Sequence, residues 1–529
     1  MRPRFIRPAA LCAGMALLPL ASAPVWGQTA CLAVHSVSYN GVSLFAPDQT
    51  RQWSRGYEGE CLGLAELNKL LERVTLAYVD RGFITARAYL PEQDLTDGSL
   101  DIAVVEGKLA DIRFNGQPDR RWQAMVFPGL VGKPVQIRRI EQGLDSIKGM
   151  NNRQATMEVD AGEAPGESIL KVKTDSPRPW KVRYSSNTHG VKETGRYSSV
   201  LDFSYDHLLG LNDQWTLTLG KTMRGPLDLL YDGQGNKSVT FGVTLPYGLW
   251  DFSADYGYAR YFQQIDGIYT PIPVNGGTHS ASLEAKRLLH RDKDSKTSLG
   301  AGLDWSNSRN FIAGAFIDSS SRKMTIAHLE LSDERPLGNG RLNGRLRVEK
   351  GLNWFGAEDA DEKRAGLPNA QFLRTVLSAT FERPLDISKP GGAGGMTYTG
   401  TFQLQYSDDL LYGGQQFAIG GPSTVRGVEQ ALARGSSGVF LRNELAYQSD
   451  VKLARWMGAL VAYSALDYGQ VFSQAALKAD HYAATGGTIG LRLQGGRLQA
   501  DLSYSKLLED DRPGALPGGR ASFDLSITF

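Results

Sequence analysis

The chain lacks an excess of charge, a second long apolar run and any recognisable catalytic motif. Lys and Arg number 58 against 56 Asp and Glu, and this near-neutral balance argues against a nucleic-acid-binding protein. After the N-terminal segment, no stretch reaches the roughly 18 uninterrupted apolar residues of a membrane-spanning helix. If the mature protein lies in a membrane, it must therefore cross that membrane with strands.

Patterns for catalysis and cofactor binding are also missing. The glycine-rich stretches 413–414 and 420–421 lack the Gly-Lys-Ser/Thr of a phosphate-binding loop, and Ser423 does not lie in a Gly-x-Ser-x-Gly elbow. Seven histidines are scattered without the spacing of metal ligands: His35, His189, His207, His279, His290, His328 and His481. The sequence therefore predicts a protein that is not an enzyme and that needs no cofactor or metal.

Residues 1–27 have the pattern of a secretory signal peptide. Arg2, Arg4 and Arg7 precede an apolar run over residues 9–23, and the segment 24–28 after it contains the expected cleavage site. Because the run is too short to span a membrane, a first transmembrane helix is the less favoured interpretation. Cleavage is expected after Gly27, with the end of the apolar run as second choice.

Cysteine is scarce, with three residues in 529. Cys12 leaves with the signal peptide, so only Cys31 and Cys61 remain in the mature chain. Two cysteines within one small domain of an exported protein favour a single disulfide between them. Two unpaired buried thiols are the alternative.

Two successive segments each combine a helical pattern with strand-like runs. In the first, Gly82 stands where a helix cap belongs, after apolar residues at helical spacing: Leu64, Leu67, Leu71, Val74 and Tyr78. In the second, the helical face consists of Ile137, Ile140, Leu144 and Ile147. Strands are predicted at residues 86–90, 100–105, 110–114, 155–159 and 168–172. The pattern indicates two small α/β domains, residues 28–108 and 109–179.

From Trp180 onward, apolar and polar residues alternate. The 60 Gly, 21 Tyr and 20 Phe of the chain also favour strands and tight turns. Sixteen strands are predicted, beginning near residues 180, 195, 213, 237, 249, 277, 295, 321, 338, 369, 396, 437, 458, 485, 496 and 519. Their even number and length of roughly ten residues favour a closed membrane barrel over a soluble sandwich. The expected fold is two α/β domains followed by a 16-stranded antiparallel transmembrane β-barrel, residues 180–529.

The longest connection in the predicted barrel is residues 409–435, between the eleventh and twelfth strands. A long connection without regular structure in a compact domain is usually functional or disordered. The last strand ends on Phe529, which continues the alternation of Ala521, Phe523, Leu525 and Ile527.

The sequence resembles a known family of bacterial outer-membrane proteins. From about Cys31 to Phe529 it is similar to the TpsB transporters of two-partner secretion, which include haemolysin-activating and filamentous-haemagglutinin-exporting proteins. These belong to a wider superfamily of barrel assembly and translocation factors. The resemblance rests on segments Cys61–Leu64, Tyr78–Leu95, Val105–Gly107, Ile140–Leu144, Pro165–Ser168, Thr194–Tyr197 and Leu208–Asp213.

The resemblance implies two periplasmic POTRA (polypeptide-transport-associated) domains and a loop that folds back into the barrel. The loop motif of the family matches Val425, Arg426, Gly427 and Val428, although relatives more often have an aromatic residue in the last position. The family's strand motif matches the segment that contains Asp467. The resemblance therefore implies contact between Arg426 and Asp467, and a carboxylate that accepts a bidentate pair suits an arginine held inside a barrel.

Many relatives carry an N-terminal helix that plugs the pore, followed by a linker. Here only a few residues separate the expected cleavage site from Cys31. Either the plug is absent, which is the favoured interpretation, or the N-terminus is assigned wrongly. The sequence therefore leaves two alternatives for the resting pore, blocked or unblocked.

The function that the resemblance implies is type V, two-partner secretion. The POTRA domains would recognise a TpsA-type exoprotein in the periplasm and the barrel would pass it to the cell surface, with activation of the partner as a possible addition. Cargo recognition is expected at Tyr78, Arg81, Gly82, Tyr89, Leu90, Pro91 and Gln93. The alternatives are a barrel assembly factor and a porin-like channel or receptor, which would leave two soluble domains unexplained.

Further partners follow from the expected outer-membrane location. Phe529 is expected to be read by the barrel-insertion machinery, because it ends the closing strand. Periplasmic chaperones and outer-membrane lipid are the other expected partners, and nucleic acid is not one.

Overall fold

The computed structural model describes residues 31–150, 153–175, 178–225, 235–359, 367–385, 394–454, 458–472, 481–511 and 518–529. The expected signal peptide and its cleavage site lie outside these described residues. The chain divides into two compact units. The first unit contains the residues up to Arg81 together with Ala86–Glu106, and the second contains Gly82–Thr85 and everything from Gly107 onward.

The first unit is a small α/β domain with a three-stranded sheet in the order β2-β5-β4. Strand β2 is parallel to the central β5 and β4 is antiparallel to it. The short strands β1 and β3 pair beside a disulfide between Cys31 and Cys61, whose Cα atoms are 5.3 Å apart. The elements are β1 Leu32–Ala33, β2 Ser36–Asn40, α1 Pro47–Thr50, β3 Cys61–Leu62, α2 Leu64–Asp80, β4 Arg87–Tyr89 and β5 Ser99–Val105.

Helix α2 begins and ends where local chemistry dictates. Its first turn is capped by the Glu66 carboxylate, which accepts a hydrogen bond from the Gly63 backbone N–H at 3.1 Å. Beyond its end, Gly82 adopts φ +89°, a left-handed conformation that glycine tolerates. The buried face consists of Leu70, Val74 and Tyr78. The prediction that Leu64 belongs to this face is wrong, because that first helical residue is 76% exposed.

A second α/β domain opens the second unit, with sheet order β6-β8-β7. The predicted helix is present, and Ile140, Leu144 and Ile147 are buried against the sheet. The unpredicted helix α3 begins after Asp119, whose carboxylate accepts a hydrogen bond from the Trp122 N–H. No helix in the described part of the chain is long and apolar enough to cross a membrane. The elements are β6 Lys108–Phe114, α3 Arg120–Val126, α4 Ile137–Lys148, β7 Gln154–Ala161 and β8 Glu167–Asp175.

The rest of the second unit is a closed antiparallel barrel. Sixteen long strands are seen in the described residues, and each begins within five residues of its predicted start. The strands are β9 Trp180–Asn187, β10 Tyr197–Asp206, β11 Gln214–Met223, β12 Gly235–Tyr247, β13 Trp250–Ile265, β14 Ile272–Arg291, β15 Lys296–Ile312, the short β16 Ala315–Phe316, β17 Arg322–Leu337, β18 Gly340–Leu352, β19 Leu373–Leu385, β20 Gly394–Tyr406, the short β21 Phe417–Ile419 and β22 Ala433–Gly435, β23 Ser437–Ala454, β24 Gly458–Phe472, β25 His481–Gly495, β26 Leu498–Asp510 and β27 Arg520–Thr528. Single 3-10 turns lie at Asp318–Ser320 and Trp354–Gly356.

The barrel closes where its last strand meets its first. Strand β27 pairs antiparallel with β9, from Asp524 opposite Asn187 to Thr528 opposite Arg183. The backbone N–H of Phe529 extends this ladder by donating to the Val182 carbonyl at 2.9 Å. Pairing the two ends removes the exposed edges that an open sheet would present.

The second domain contacts one end of the barrel through polar groups of α3 and α4. The Trp122 indole N–H donates to Asn212 Oδ1 at 2.9 Å. Asp145 accepts hydrogen bonds from Arg291 at 2.7 Å and from Lys296 at 2.6 Å. Burial opposes the ionisation of Asp145, but these two cations hold its pKa below the ordinary value. The carboxylate therefore stays ionised and holds the domain to the barrel strands.

Deletion of Phe529 should lower the amount of folded protein in the membrane fraction while synthesis stays unchanged. The deletion removes the last hydrogen bond of the closing ladder and the terminal aromatic side chain. Heat-modifiable mobility on gels measures the folded amount, and Phe529→Tyr, which keeps both features, is the control. Equal folded amounts in the deletion variant and the wild type would contradict the prediction.

Candidate functional site

The loop between β20 and β23 turns back into the lumen of the barrel. Its two limbs pair as β21 and β22, from Phe417 opposite Gly435 to Ile419 opposite Ala433. Beyond these strands, the tip of the loop lies against the inner wall formed by β23 to β26. The predicted long loop, residues 409–435, therefore has its own secondary structure.

Arg426 at the loop tip forms a bidentate ion pair with Asp467 on β24. Its Nε lies 2.7 Å from Asp467 Oδ2 and its second terminal nitrogen lies 2.7 Å from Oδ1. The backbone N–H of Arg426 also donates to Oδ2 at 3.1 Å. The side chain of Asp467 is fully buried and that of Arg426 is 11% exposed. A planar guanidinium matches a carboxylate in this geometry, and the pair is shielded from water.

The strand period explains why Asp467 faces the lumen. Its neighbours Leu466 and Tyr468 are 51% and 41% exposed on the outer face, whereas Asp467 is buried on the inner one. Side chains alternate between the two faces of a strand. The structure thus brings together the two side chains that the family resemblance pairs.

Four further charged side chains extend this pair into a network. Arg442, opposite Asp467 in the ladder, donates to the Ser423 carbonyl of the loop at 3.0 Å. Glu444 lies 3.5 Å from Arg426 and accepts a hydrogen bond from Arg492 at 3.0 Å. The chain of contacts ends where Arg492 meets Asp501 at 2.8 Å. Roles for Arg442, Glu444, Arg492 and Asp501 were not predicted from the sequence. Each is a charged residue on the polar face of an alternating strand, and this signal could have identified them.

Glycines on the wall let the loop approach the strands closely. A Cβ on Gly486 would lie 2.1 Å from the Arg426 carbonyl oxygen, and one on Gly469 would lie 2.7 Å from the Val425 side chain. Gly427 has φ +119°, where a side chain would be strained, and a Cβ there would lie 2.5 Å from the Leu507 backbone nitrogen of β26. The wall therefore has no room for a side chain where the loop tip is seated.

An apolar cluster holds Val425, the residue that precedes Arg426 in the loop. Val425 is fully buried within this cluster, and Val428 packs against it from the edge. A valine therefore fills the place where relatives more often have an aromatic residue. The buried members of the cluster are Phe417, Ile419, Val425, Phe440, Val471, Ala484 and Leu507.

The base of the loop is held separately by β17, β19 and β20, which precede β23 in the order of the barrel strands. The Gln415 carbonyl accepts hydrogen bonds from Arg374 at 2.6 Å and from Gln405 at 3.1 Å. Leu411 is fully buried against Phe372 and against Met324 and Ile326 of β17. The loop is thus held at its base by the strands that precede β23 and at its tip by the Arg426 network.

The residues predicted to recognise cargo in the first domain divide into buried and exposed groups. Tyr78 is fully buried, and its hydroxyl donates to Glu106 at 2.9 Å. Burial, together with this hydrogen bond, raises the pKa of Tyr78. The prediction that Tyr78 contacts cargo is wrong for the folded domain, because a core side chain offers no surface. Gly82, which lies just beyond the end of α2, is also buried and offers no surface to cargo.

Arg81 and Gln93 are occupied by contacts within their own domain. Arg81 donates to the Leu44 carbonyl at 3.1 Å and covers the Phe45 ring at 3.8 Å. Gln93 both donates to and accepts from the Asp101 backbone at 2.7 Å.

Tyr89, Leu90 and Pro91 are exposed at the end of the edge strand β4. Tyr89 is 53% exposed and Leu90 is 38% exposed. They leave an accessible apolar surface beside a strand that has a sheet neighbour on one side only.

The arrangement around Arg426 can hold a loop in place. No group of three or more His, Cys, Asp or Glu within the described ranges is placed to bind a metal ion. The chemistry available is ion pairing and hydrogen bonding, which can be made and broken as the loop moves.

Gly486→Ala should displace the loop tip, because the new Cβ would collide with the Arg426 carbonyl. Limited trypsin digestion of the folded protein should then cut the loop at Arg426 or Arg434, which the wild type should resist. The matched control is Gly487→Ala on the opposite face, where the new Cβ would meet only the flexible end of Leu508 at 3.1 Å. Identical digestion of the two variants would contradict the seating of the loop described here.

Comparison with known families assigns the three parts of the chain. The family model described as haemolysin secretion/activation protein ShlB/FhaC/HecB matches residues 166–493. A ShlB-type POTRA domain model matches residues 32–107, and a second POTRA model matches residues 108–160.

Individual relatives agree with this assignment. The outer membrane transporter CdiB of Dickeya dadantii is 29% identical over 88% of this chain and 80% of its own length. CdiB of Escherichia coli is 30% identical over 84% of this chain and 73% of its own length. The solved structure of CdiB from Escherichia coli superposes with a TM-score of 0.87, covering 96% of this chain and 93% of that one at 28% identity. The chain therefore belongs to the haemolysin secretion/activation family ShlB/FhaC/HecB: it is an outer-membrane two-partner secretion transporter, with two periplasmic POTRA domains and a 16-stranded β-barrel.

Proposed function

We propose that the protein passes its partner exoprotein through the barrel lumen past the loop that Arg426 holds, after the POTRA domains have bound that partner. The observation that carries this proposal is the buried bidentate pair between Arg426 and Asp467, which fixes a loop inside the route. The family match favours export over the two alternatives, barrel assembly and porin-like conduction.

The ion pair acts in this proposal as a positional lock on the loop. Removing one partner leaves the other charge buried without its counterpart, which costs on the order of 3–5 kcal/mol when burial is complete and less where lumen water reaches. The cost falls on the seated state of the loop. The barrel itself keeps its full ladder, so the lock can fail without unfolding the strands.

Arg426→Ala and Asp467→Ala should each reduce secretion of the partner at least tenfold while the barrel still inserts. Because both variants break the same contact, the double variant should be hardly worse than either single one. Arg426→Lys should restore secretion only in part, since an ammonium cannot reproduce the planar fork. Secreted partner and folded transporter are measured in the same cells.

The matched control for these variants is Arg434→Ala on the same loop, where the guanidinium donates to the Gly413 carbonyl at 3.3 Å and forms no ion pair with a described residue. It should secrete normally. Additive losses in the Arg426 and Asp467 variants, or normal secretion by Arg426→Ala, would remove the lock from the mechanism.

Cargo recognition in the first POTRA domain is proposed at the edge of its sheet. An edge strand has free backbone groups that an extended peptide can pair with, and exposed side chains nearby add specificity. Strand β4 lies at such an edge, and Tyr89, Leu90 and Pro91 provide the apolar surface. Tyr78 and Gln93 support this surface from within the domain.

Combined Tyr89→Ser and Leu90→Ser substitutions should lower secretion about tenfold, because they remove the apolar contact area without touching the core. The control is Leu64→Ser, which changes an equally apolar and more exposed residue of the same domain. Normal secretion in the double variant, or an equal loss in the control, would place recognition elsewhere. Deleting residues 32–108 is a less specific test, since Gly82 accepts a hydrogen bond from Ile137 of the second domain.

Phe529 is proposed to be the signal that the barrel-insertion machinery reads. Its side chain is 56% exposed although its backbone is paired, so the aromatic ring remains accessible at the barrel end. Periplasmic chaperones are proposed to hold the chain before insertion, because its apolar outer face would otherwise meet water.

A further inference from the structure

The outer face of strands β12 to β15 changes in composition with depth. Residues opposite one another in the ladder form rows across the four strands, and each row is two residues above the one before it. Two neighbouring rows in the half of this face nearer the periplasm are apolar: Leu245, Phe252, Ala285 and Ala301, then Val243, Ala254, Leu283 and Leu303. Such rows suit the hydrocarbon of the membrane.

Towards the extracellular end, aromatic and polar side chains replace the aliphatic ones. The next two rows are Phe241, Tyr256, Ala281 and Trp305, then Val239, Tyr258, His279 and Asn307. The Tyr256 hydroxyl lies 2.8 Å from His279 Nδ1, and the Tyr258 ring lies 4.6 Å from the imidazole. Aromatic girdles of this kind mark the membrane interface in outer-membrane barrels.

Directly above the girdle, one row brings three cations together. Lys237 pairs with Arg260, Arg260 with Gly277, and Gly277 with Arg309. Gly277 has no side chain, and the Tyr258 ring lies over it between the two arginines, with its hydroxyl 3.1 Å from where a Cβ on Gly277 would be. These residues line a groove of about 630 Å³ together with Tyr258, Phe262, Asn275, His279 and Phe311.

Within the part of the chain that the structure describes, the two arginines of this row have no carboxylate partner. Neither Arg260 nor Arg309 forms an ion pair with any described residue, in contrast to the arginines of the lumen. Arg309 instead lies 5.8 Å from the Phe316 ring. Two guanidinium groups lie on the outer face at the level of the membrane interface. Together they have ten N–H hydrogen-bond donors that can bind a lipid headgroup.

The position of the row along the strand agrees with this depth. Arg287 faces outward on β14 ten residues below Gly277 and covers the Trp250 ring at 5.3 Å. Ten residues span roughly 33 Å along a strand. With a strand tilt of about 40°, the rise is about 25 Å, which equals the height of the apolar band of such barrels. Arg287 and the Arg260 row therefore lie at the two edges of the band.

We propose that Lys237, Arg260 and Arg309 form a binding site for the phosphate groups of a glycolipid headgroup in the extracellular leaflet, of the lipid A type. Arginine binds phosphate oxygens in a bidentate manner, and basic pockets at the interface recognise anionic headgroups. The aromatic rings below would contact the upper acyl chains and sugar. The site holds one specific lipid at the wall of β12 to β15, away from the transport route.

The test uses the full-length protein in detergent, titrated with lipid A and with lipid A stripped of its phosphates, with bound lipid counted by native mass spectrometry. The wild type should bind lipid A at least tenfold more tightly than the dephosphorylated form. Arg260→Gln combined with Arg309→Gln should lose on the order of tenfold or more in affinity, as expected for two basic contacts with an anionic lipid. The matched control is Arg287→Gln, at the other edge of the band, which should bind like the wild type.

Equal binding of the two lipids by the wild type would overturn the site, even if the double variant failed to fold. So would an unchanged affinity in the folded double variant, or an equal loss in Arg287→Gln. Inorganic phosphate alone is a further arm. Binding of the free anion that depends on the same arginines and excludes lipid A would show an ion site and would overturn the lipid assignment.

Discussion

The seated loop depends on the pairing of Arg426 with Asp467, because a buried guanidinium is tolerated only where a carboxylate meets it. Neighbouring residues of the wall and loop allow this ion pair to form. Gly469 and Gly486 leave space for the loop backbone, and Arg442 donates to the loop from the neighbouring strand. Val425, next to Arg426 in the chain, is buried in an apolar cluster that includes residues of the wall. If the ion pair opens, we expect the loop tip to leave the wall and these contacts to break.

The barrel could be predicted from the sequence because its signal is local. A strand with one polar and one apolar face repeats every two residues, so the sixteen strands and their starting positions follow from alternation alone. The contacts inside the lumen are of another kind. Arg426 and Asp467 are 41 residues apart, and their pairing was predicted only through the family resemblance. Alternation assigns Glu444 and Asp501 to a face but cannot say which arginine lies beside them, since that depends on the register between strands.

The first domain shows the same difference on a smaller scale. The segment from Tyr78 to Leu95 was predicted as one recognition element, but folding divides it into a core and a surface. Tyr78 completes a helix face and accepts burial because Glu106 satisfies its hydroxyl, whereas Tyr89 and Leu90 project from an edge strand. Periodicity placed Leu64 with the buried residues because it cannot tell where the sheet beneath a helix ends. The sequence therefore identified the segment from Tyr78 to Leu95 as characteristic of the family, but it did not distinguish its core residues from its surface residues.

The two faces of the barrel wall are subject to one constraint, which is strand register. A slip of one residue would turn lumen charges towards lipid and lipid-facing side chains towards the lumen. The ladder between β25 and β26 nevertheless contains an irregularity, where Gly486 pairs with Leu507 and Thr485 with Glu509, so that Leu508 is left over. A bulge of this kind bends a strand locally and re-aims its side chains. Here it lies beside the loop tip, where Leu507 packs under Gly427. The wall thus departs from regular pairing at a point where it must fit the loop, and the rows that face lipid on β12 to β15 keep their register from the apolar band to the arginines.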